Sequence, residues 1–112
     1  MVVTSTDEFK GAEISKYYGI VYGDAVMGAN IVRDMLASVR DVVGGRSESY
    51  QNLLARARAL ALRDMQVMAY SKGANGIVGI RFDIDTMHSM LICNVTGTAV
   101  NVSFDKSSGS SI

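Results

Sequence analysis

The sequence predicts an α+β fold in which two helices pack on one face of an antiparallel sheet, in the order ββααββ. Three observations predict this fold. Residues 17–27 are dense in aromatic and β-branched side chains, which favour strands. Residues 31–43 and 50–68 repeat apolar side chains at helical spacing, whereas residues 78–84 alternate apolar and polar side chains. Two helices on one face of such a sheet form a two-layer sandwich.

The first half of the chain is predicted to supply two strands and the first helix. Residues 2–4 are a short β-prone run, and Gly19 and Gly23 in the second strand indicate a bulge or a close backbone approach. Asn30 is a good N-cap for the helix, and Gly44 suits its left-handed C-cap position. Because many residues of this helix are β-branched, burial of its apolar stripe has to stabilise it.

The second half is predicted to supply a long helix and a hairpin. The helix begins at Ser47 or Ser49 and runs to about Lys72, so its length is roughly 35 Å. Such a helix is long for a small domain, and we expect one end or face to meet another chain. Residues 86–89 form the predicted hairpin loop, followed by a return strand over residues 90–100. The apolar stripe of the helix consists of Tyr50, Leu53, Leu54, Ala57, Leu60, Ala61, Met65 and Met68. The apolar face of the first hairpin strand holds Val78, Ile80, Phe82 and Ile84.

Composition sets limits on the class of protein. A chain of 112 residues is expected to form one domain, over residues 1–100. Residues 101–112 are expected to extend the last strand weakly and to end in a disordered Ser/Gly-rich tail. With 11 basic and 11 acidic residues, the chain lacks the net positive charge typical of nucleic-acid and anionic-membrane partners. A single cysteine, no signal-peptide pattern and no long apolar run lead us to expect a cytoplasmic protein.

Several short motifs occur together along residues 3–100. They are Tyr18-Gly19-Ile20-Val21-Tyr22-Gly23, Gly28-Ala29-Asn30, Arg33-Asp34, the run from Ser38 to Ser47, Tyr50 with the alanine-rich helix after it, Gly73-Ala74-Asn75-Gly76-Ile77-Val78-Gly79 and Thr96-Gly97-Thr98-Ala99-Val100. The set resembles the YbjQ-like family of small bacterial and archaeal proteins, and the run from Arg40 to Ser47 is its most specific part. The resemblance implies a subunit similar in fold to dodecin subunits, a ring-shaped homopentamer, and a family labelled as binding heavy metals, hence a divalent metal ion as the possible cofactor.

Candidate metal ligands are few, because the chain has one cysteine and one histidine. Cys93 is predicted on the apolar face of the last strand, where a buried small hydrophobe is the alternative to a ligand. His88 is predicted in the hairpin loop, and a ring would gather one His88 from each subunit around its axis. Asp83 and Asp85 share a strand face and offer oxygen ligands to a hard cation, or act as solvated partners of Arg81.

A second candidate site is the turn between the two predicted helices. Its glycines present backbone N–H groups, beside a guanidinium and a hydroxyl, just before a helix N-terminus, where anions bind. The alternative is that Arg46 pairs with Asp41, with Glu48 or with a neighbouring subunit, and that the glycines only turn the chain. We expect a neighbouring subunit before a substrate. The candidate residues for anion binding or a subunit interface are Arg40, Asp41, Gly44, Gly45, Arg46, Ser47 and Tyr50.

No catalytic arrangement is evident in the sequence. Asp41, Ser47, Ser49 and His88 have the residue types of a hydrolase triad, but nothing in the sequence brings them together. Four tyrosines at positions 17, 18, 22 and 50 suit stacking on a flat ligand such as a flavin, as the similarity to dodecins suggests, or a core or interface role. We therefore expect a non-enzymatic, ring-forming homo-oligomer that binds a metal ion or small ligand at subunit boundaries. The alternative is a structural or protein-interaction module with no small ligand.

Overall fold

The computed structural model describes residues 1–28 and 48–104 of the chain. These residues form the strands β1 (Val2–Val3), β2 (Ala12–Met27), β3 (Gly76–Met87) and β4 (Met90–Phe104) and the helix α1 (Glu48–Ser71). The strands make one open sheet in the order β1-β3-β4-β2. Strand β4 is antiparallel to both of its neighbours, and β1 is parallel to β3. The described residues thus confirm an α+β fold with a mixed sheet.

The predicted sheet needs one correction, at the N-terminus. Strand β1 pairs in parallel with β3, through Val2 with Gly76 and Val3 with Ile77, so the sheet is not purely antiparallel. The pairing of a two-residue strand cannot be predicted from its sequence, because so short a strand has no hydrophobic pattern to set its register. The described elements follow the order ββαββ. The predicted first helix falls on residues 29–47, outside the described residues, so the ββααββ order stays a prediction.

Helix α1 packs on β2 and β4 through side chains spaced four residues apart. This spacing keeps them on one side of the helix. At Gly23 of β2 the two backbones come so close that a Cβ atom would lie 1.9 Å from the carbonyl oxygen of Ala61. The expected close approach at Gly23 is therefore confirmed. The fully buried residues of this helix stripe are Leu53, Ala57, Ala61, Met65 and Ala69.

A bulge at Gly79 decides which side of β3 faces α1. Gly79 has φ of 64°, in the left-handed region that favours glycine, and the β3–β4 register shifts between Val78 and Arg81. The extra residue reverses the alternation, so that Ile80 packs in the core beneath α1 and Val78 packs in a separate cluster. The prediction that Val78 shares a face with Ile80 is therefore wrong.

The face of the sheet opposite α1, called here the outer face, is covered at one end by the N-terminal segment. The amides of Gly79 and Ile80 donate to the carbonyl oxygens of Thr6 and Thr4, which bring this segment past the edge of β3. Phe9 then packs on the outer face. The cluster at this end consists of Val78, Val100 and Val102, with Phe9, Ala12 and Ile14 packed against them. The other end of the outer face, towards Met27, has no such cover among the described residues.

Candidate functional site

The four candidate metal ligands lie in the β3–β4 hairpin, but on different sides of it. Asp83 and Asp85 are exposed on the outer face, and His88 is exposed at the hairpin turn. Cys93 is fully buried in the core cluster, on the helix-facing side of β4. Across residues 1–28 and 48–104, no three His, Cys, Asp or Glu side chains are grouped so that they would hold a metal ion. The described donors of one subunit therefore do not fit a metal centre.

The environment of Cys93 makes its thiol a poor ligand and nucleophile. Burial raises the pKa of Cys93 because it disfavours the thiolate. The positive charge of Arg58 opposes this shift, whereas Asp24 and Asp83 add to it. Since the thiolate is the form that binds metals and attacks electrophiles, a thiol kept protonated in the core packs as a small apolar side chain.

His88 lies in a two-residue hairpin turn, flanked by the paired residues Met87 and Met90. Both turn residues have positive φ, 52° at His88 and 64° at Ser89. Two-residue hairpins with this backbone favour Asn-Gly, because most other side chains pay a steric cost there. The exposed imidazole thus lies at the tip of the hairpin. Asp83 and Asp85 lie before it, within strand β3.

The second candidate site lies almost wholly outside the described residues. Six of its members fall within residues 29–47, and these are Arg40, Asp41, Gly44, Gly45, Arg46 and Ser47. Tyr50 belongs to the first turn of α1, and its side chain is not among those described. The proposal of an anion site or a subunit contact at this turn stays a prediction.

The tyrosines of β2 are divided between the two faces of the sheet. Tyr18 packs against the core cluster on the helix-facing side, with the ammonium of Lys16 4.8 Å from its ring centroid. Tyr22 pairs with Thr96 and projects from the outer face, half exposed. Tyr18 and Tyr22 lie on opposite faces of the sheet, so they do not hold a flat ligand between them. Tyr17, which is exposed and pairs with Val100, shares the outer face with Tyr22, so stacking of a flat ligand on that face stays a prediction.

The feature that sequence reasoning missed is an apolar strip on the outer face of β2. Ile20, Tyr22 and Val26 alternate along it, and each is at least half exposed. Their neighbours Val21 and Ala25 are buried under α1. Apolar residues at both odd and even positions are typical of a strand covered on both faces, so the signal that could have revealed a second covering surface was present in residues 20–27.

The strip borders an open edge of the sheet. β2 is the outermost strand, and within residues 1–28 and 48–104 nothing pairs with its far side. Helix α1 reaches this edge strand. The backbone amide of Asp24 in β2 donates a hydrogen bond to the carboxylate of Asp64 in the helix, at 3.4 Å. Leu60 lies one helical turn before Asp64 on the same side of the helix, and it is 42% exposed. Leu60 of the predicted apolar stripe is therefore not among its buried members, since it flanks the edge of β2 instead.

The opposite side of the sheet is open as well. The N-terminal segment covers the edge of β3 only as far as Ile80, and no other described segment pairs with residues 81–87 on that side. Phe82, on the helix-facing side of this edge, remains 42% exposed, because α1 lies over β2 and β4 instead. The described part of the chain thus has two strand edges to which none of its own residues pair, and apolar side chains lie at both.

None of the helices in the described residues is apolar over enough of its length to cross a membrane.

Comparison with known proteins matches nearly the whole chain to one family. Residues 1–103 match the YbjQ family model, whose description is "Putative heavy-metal-binding". The chain is 52% identical over 103 residues to a UPF0145 protein of Bacillus cereus, which covers 91% of this chain and 100% of that protein. It is 46% identical over 103 residues to a UPF0145 protein of Geobacillus kaustophilus, which covers 91% and 98%.

A solved structure supports the fold. A crystal structure of a protein with unknown function from Pediococcus pentosaceus, which belongs to the DUF74 family, superposes with a TM-score of 0.62. The match covers 92% of this chain and 98% of the other at 13% identity, so it speaks to the fold alone. The family resemblance that the motifs indicated is confirmed by the family model and by these close relatives: the chain belongs to the YbjQ family of UPF0145 proteins, whose function is uncharacterised.

Proposed function

We propose that this protein works as a ring-forming homo-oligomer that holds a metal ion or small ligand where its subunits meet. The observation that carries the proposal is a pair of sheet edges, at β2 and at residues 81–87 of β3, with which no other strand pairs among residues 1–28 and 48–104. An exposed, long, apolar strand edge is a template for another strand, and soluble proteins rarely leave one uncovered. A second copy of the chain always carries the matching edge.

Two different edges favour a ring over a two-fold dimer. When a surface binds a different surface on the next copy, the contact is head-to-tail, and a head-to-tail contact closes into a ring if its rotation allows. The family resemblance adds the expected number of copies, a pentamer. The zero net charge of the chain does little to oppose such self-association.

The position of the candidate ligands agrees with binding at boundaries. Asp83, Asp85 and His88 belong to the open edge of β3 and its hairpin tip, so in the assembly they would lie beside a neighbouring subunit. A single subunit provides no three convergent donors in its described residues. A metal ion would accordingly draw its ligands from two or more copies, which is how an oligomer makes a site that the subunit lacks.

Native mass spectrometry of protein purified without chelators tests this function. We expect one closed oligomer, a pentamer, carrying a stoichiometric mass of metal or ligand per ring. A panel of divalent metals offered to stripped protein should restore that mass. A monomer at all concentrations would overturn the ring, and a bare ring across the whole panel would overturn metal binding in favour of an interaction module.

A matched pair of variants tests whether the outer strip is the contact surface. Val26→Lys places a charge within the strip and should lower the oligomer mass at micromolar concentration. Glu13→Lys changes a charge on the same strand, where Glu13 is exposed and paired with Ser103, and should leave the mass unchanged. Equal oligomer masses for both variants would contradict a role for the strip. Cell fractionation would test the proposed cytoplasmic location in parallel.

A further inference from the structure

We propose that the Asn75-Gly76 dipeptide is a deamidation site that folding protects. Asn75 keeps its amide while the end of β4 is paired, and it converts to aspartate or isoaspartate when that end opens. The modified residue cannot rebuild the pairing, so the change permanently marks a chain that has opened. This inference concerns the subunit alone and does not depend on the proposed homo-oligomer.

Asn75 links β1, β3 and β4 through its backbone and its side chain. Its backbone amide donates to the carbonyl oxygen of Val100 at 3.1 Å, and its own carbonyl oxygen accepts from the amide of Val2 at 3.2 Å. Its side chain bonds both backbone groups of Val102. Nδ2 donates to the carbonyl oxygen at 2.9 Å, and Oδ1 accepts from the amide at 2.8 Å. The donors and acceptors of this residue are thus all engaged in holding the sheet together.

The side chain of Asn75 replaces a backbone partner that the end of α1 already uses. The β3–β4 ladder ends at Gly76, and its continuation would set Ala74 opposite Val102. The amide of Ala74 instead donates to the carbonyl oxygen of Ala69 and closes the last turn of the helix. An asparagine side chain carries the same donor and acceptor as a peptide group. It therefore extends the ladder where the backbone cannot.

Position 76 is crowded for any residue larger than glycine. A Cβ atom there would lie 3.2 Å from a methyl group of Val102 and 3.3 Å from one of Val100, with the ring of Phe9 at 3.4 Å. All three side chains belong to the cluster on the outer face. A larger residue would have to displace this cluster, because packed side chains leave little free space. The fold thus favours asparagine and glycine at adjacent positions for two separate reasons.

An Asn-Gly dipeptide is prone to deamidation, because glycine has no side chain to hinder its backbone nitrogen. That nitrogen attacks Cγ of Asn75 and loses its proton. The new N–Cγ bond forms as the bond from Cγ to Nδ2 breaks, and ammonia leaves. Water then opens the resulting succinimide at either carbonyl, which gives aspartate or isoaspartate. In the folded chain two hydrogen bonds hold the carboxamide against Val102, and it has to leave them before it can react.

The product of the reaction cannot replace the amide. An aspartate at position 75 has no N–H group, so its carboxylate would face the carbonyl oxygen of Val102 where Nδ2 now donates. Asn75→Asp reproduces this product and should lower the equilibrium constant of folding by about tenfold, measured by urea denaturation. Asn101→Asp is the matched control, because position 101 pairs with Lys16, which suits a carboxylate. It should change the constant by less than about twofold.

The rate of deamidation tests the protection directly. Trypsin cleaves after Lys72 and Arg81, and the peptide between them contains Asn75 as its one side-chain amide. Mass spectrometry follows its conversion in folded protein and in protein unfolded by guanidinium chloride, at the same alkaline pH and temperature. We expect conversion to be slower by about tenfold or more in the folded protein, because the reaction there requires local opening.

A variant that loosens the end of β4 tests whether opening at that end is sufficient. The ring of Phe104 packs edge-on against Phe9, with ring centroids 6.0 Å apart. Phe104→Ala should therefore raise the rate in folded protein by about threefold or more. Met87→Ala removes an exposed side chain at the other end of the sheet and should leave the rate unchanged. Circular dichroism checks that both variants are folded.

Each part of the proposal can fail separately. Equal rates in folded and unfolded protein would overturn the protection, and an unmodified peptide under both conditions would overturn the site itself. A variant Asn75→Asp as stable as the wild type would overturn the loss of pairing. An unchanged rate in Phe104→Ala would overturn the role of the end of β4. None of these results depends on whether the protein assembles.

Discussion

The two faces of β2 contain similar residues and have opposite surroundings. On one face Val21 and Ala25 are buried beneath α1, whereas on the other Ile20 and Val26 are mostly exposed. Residue type does not explain this difference, since valine occurs on both faces. What differs is the cover, because α1 lies on one side of the strand and the N-terminal segment covers only the far end of the other. One face is covered by the helix, and beyond its far end the other face has no cover among residues 1–28 and 48–104.

The largest effect is expected on the covered face, from Gly23→Ala. A Cβ there would lie 1.9 Å from the carbonyl oxygen of Ala61 and 2.6 Å from the amide nitrogen of Met65, so the helix backbone would have to move. We expect a loss of about 3 kcal/mol or more in the free energy of unfolding, measured by urea denaturation. Gly28→Ala is the control, because no atom of the described residues lies within 4 Å of its would-be Cβ. A loss below about 1 kcal/mol for Gly23→Ala would contradict the close packing of α1 on β2.

The two faces of β2 are compared directly by truncating Met65, which packs on one face from α1, and Ile20, which projects from the other. Met65→Ala removes a fully buried side chain and should cost about 2–5 kcal/mol of folding stability. Ile20→Ala removes an exposed one and should cost the isolated subunit about 0.5 kcal/mol or less. The second change should instead weaken assembly, read as a higher dissociation concentration in light scattering. Equal losses of subunit stability would erase the distinction between the two faces.

A smaller effect than the two large losses, and a gain in stability, is expected at the hairpin tip, which neither face covers. His88→Asn with Ser89→Gly supplies residues suited to the two positive φ angles, so thermal unfolding should show a gain of about 1 kcal/mol. The same substitution removes the one imidazole of the chain. Loss of a bound metal from the ring in this variant would therefore assign His88 as a ligand, whereas full retention of metal would exclude it.

Much of the secondary structure could be predicted, because it follows from the pattern of side chains along each segment. The period-two alternation after Ile80 and the helical repeat from Leu53 to Met65 each arise from neighbours in the sequence. The hairpin turn was predicted over residues 86–89, but it occupies only residues 88–89, because Thr86 and Met87 still pair with β4. The bulge at Gly79 could not be placed, since glycine permits a left-handed backbone without requiring it. The parallel pairing of β1 was missed for a related reason, because two residues carry no register signal.

The candidate sites were less accessible to sequence reasoning than the fold. His88, Asp83, Asp85 and Cys93 are close along the chain, which suggests a common site. The alternation of a strand sends Cys93 into the core and the aspartates to the outer face, while the turn holds His88 at the tip. The open edges were not predicted at all, because an edge is a property of strand order in the sheet.

The sequence by itself determined the elements, the family and the apolar character of both faces of β2. Those properties depend on residues near one another in the chain, where periodicity and propensity act. Only the tertiary structure decided that β2 and β3 would be the open edges, that α1 would lie over Gly23, and that Leu60 and Phe82 would remain exposed. Such outcomes depend on which distant segments come together in the sheet, and no local pattern of side chains encodes that choice.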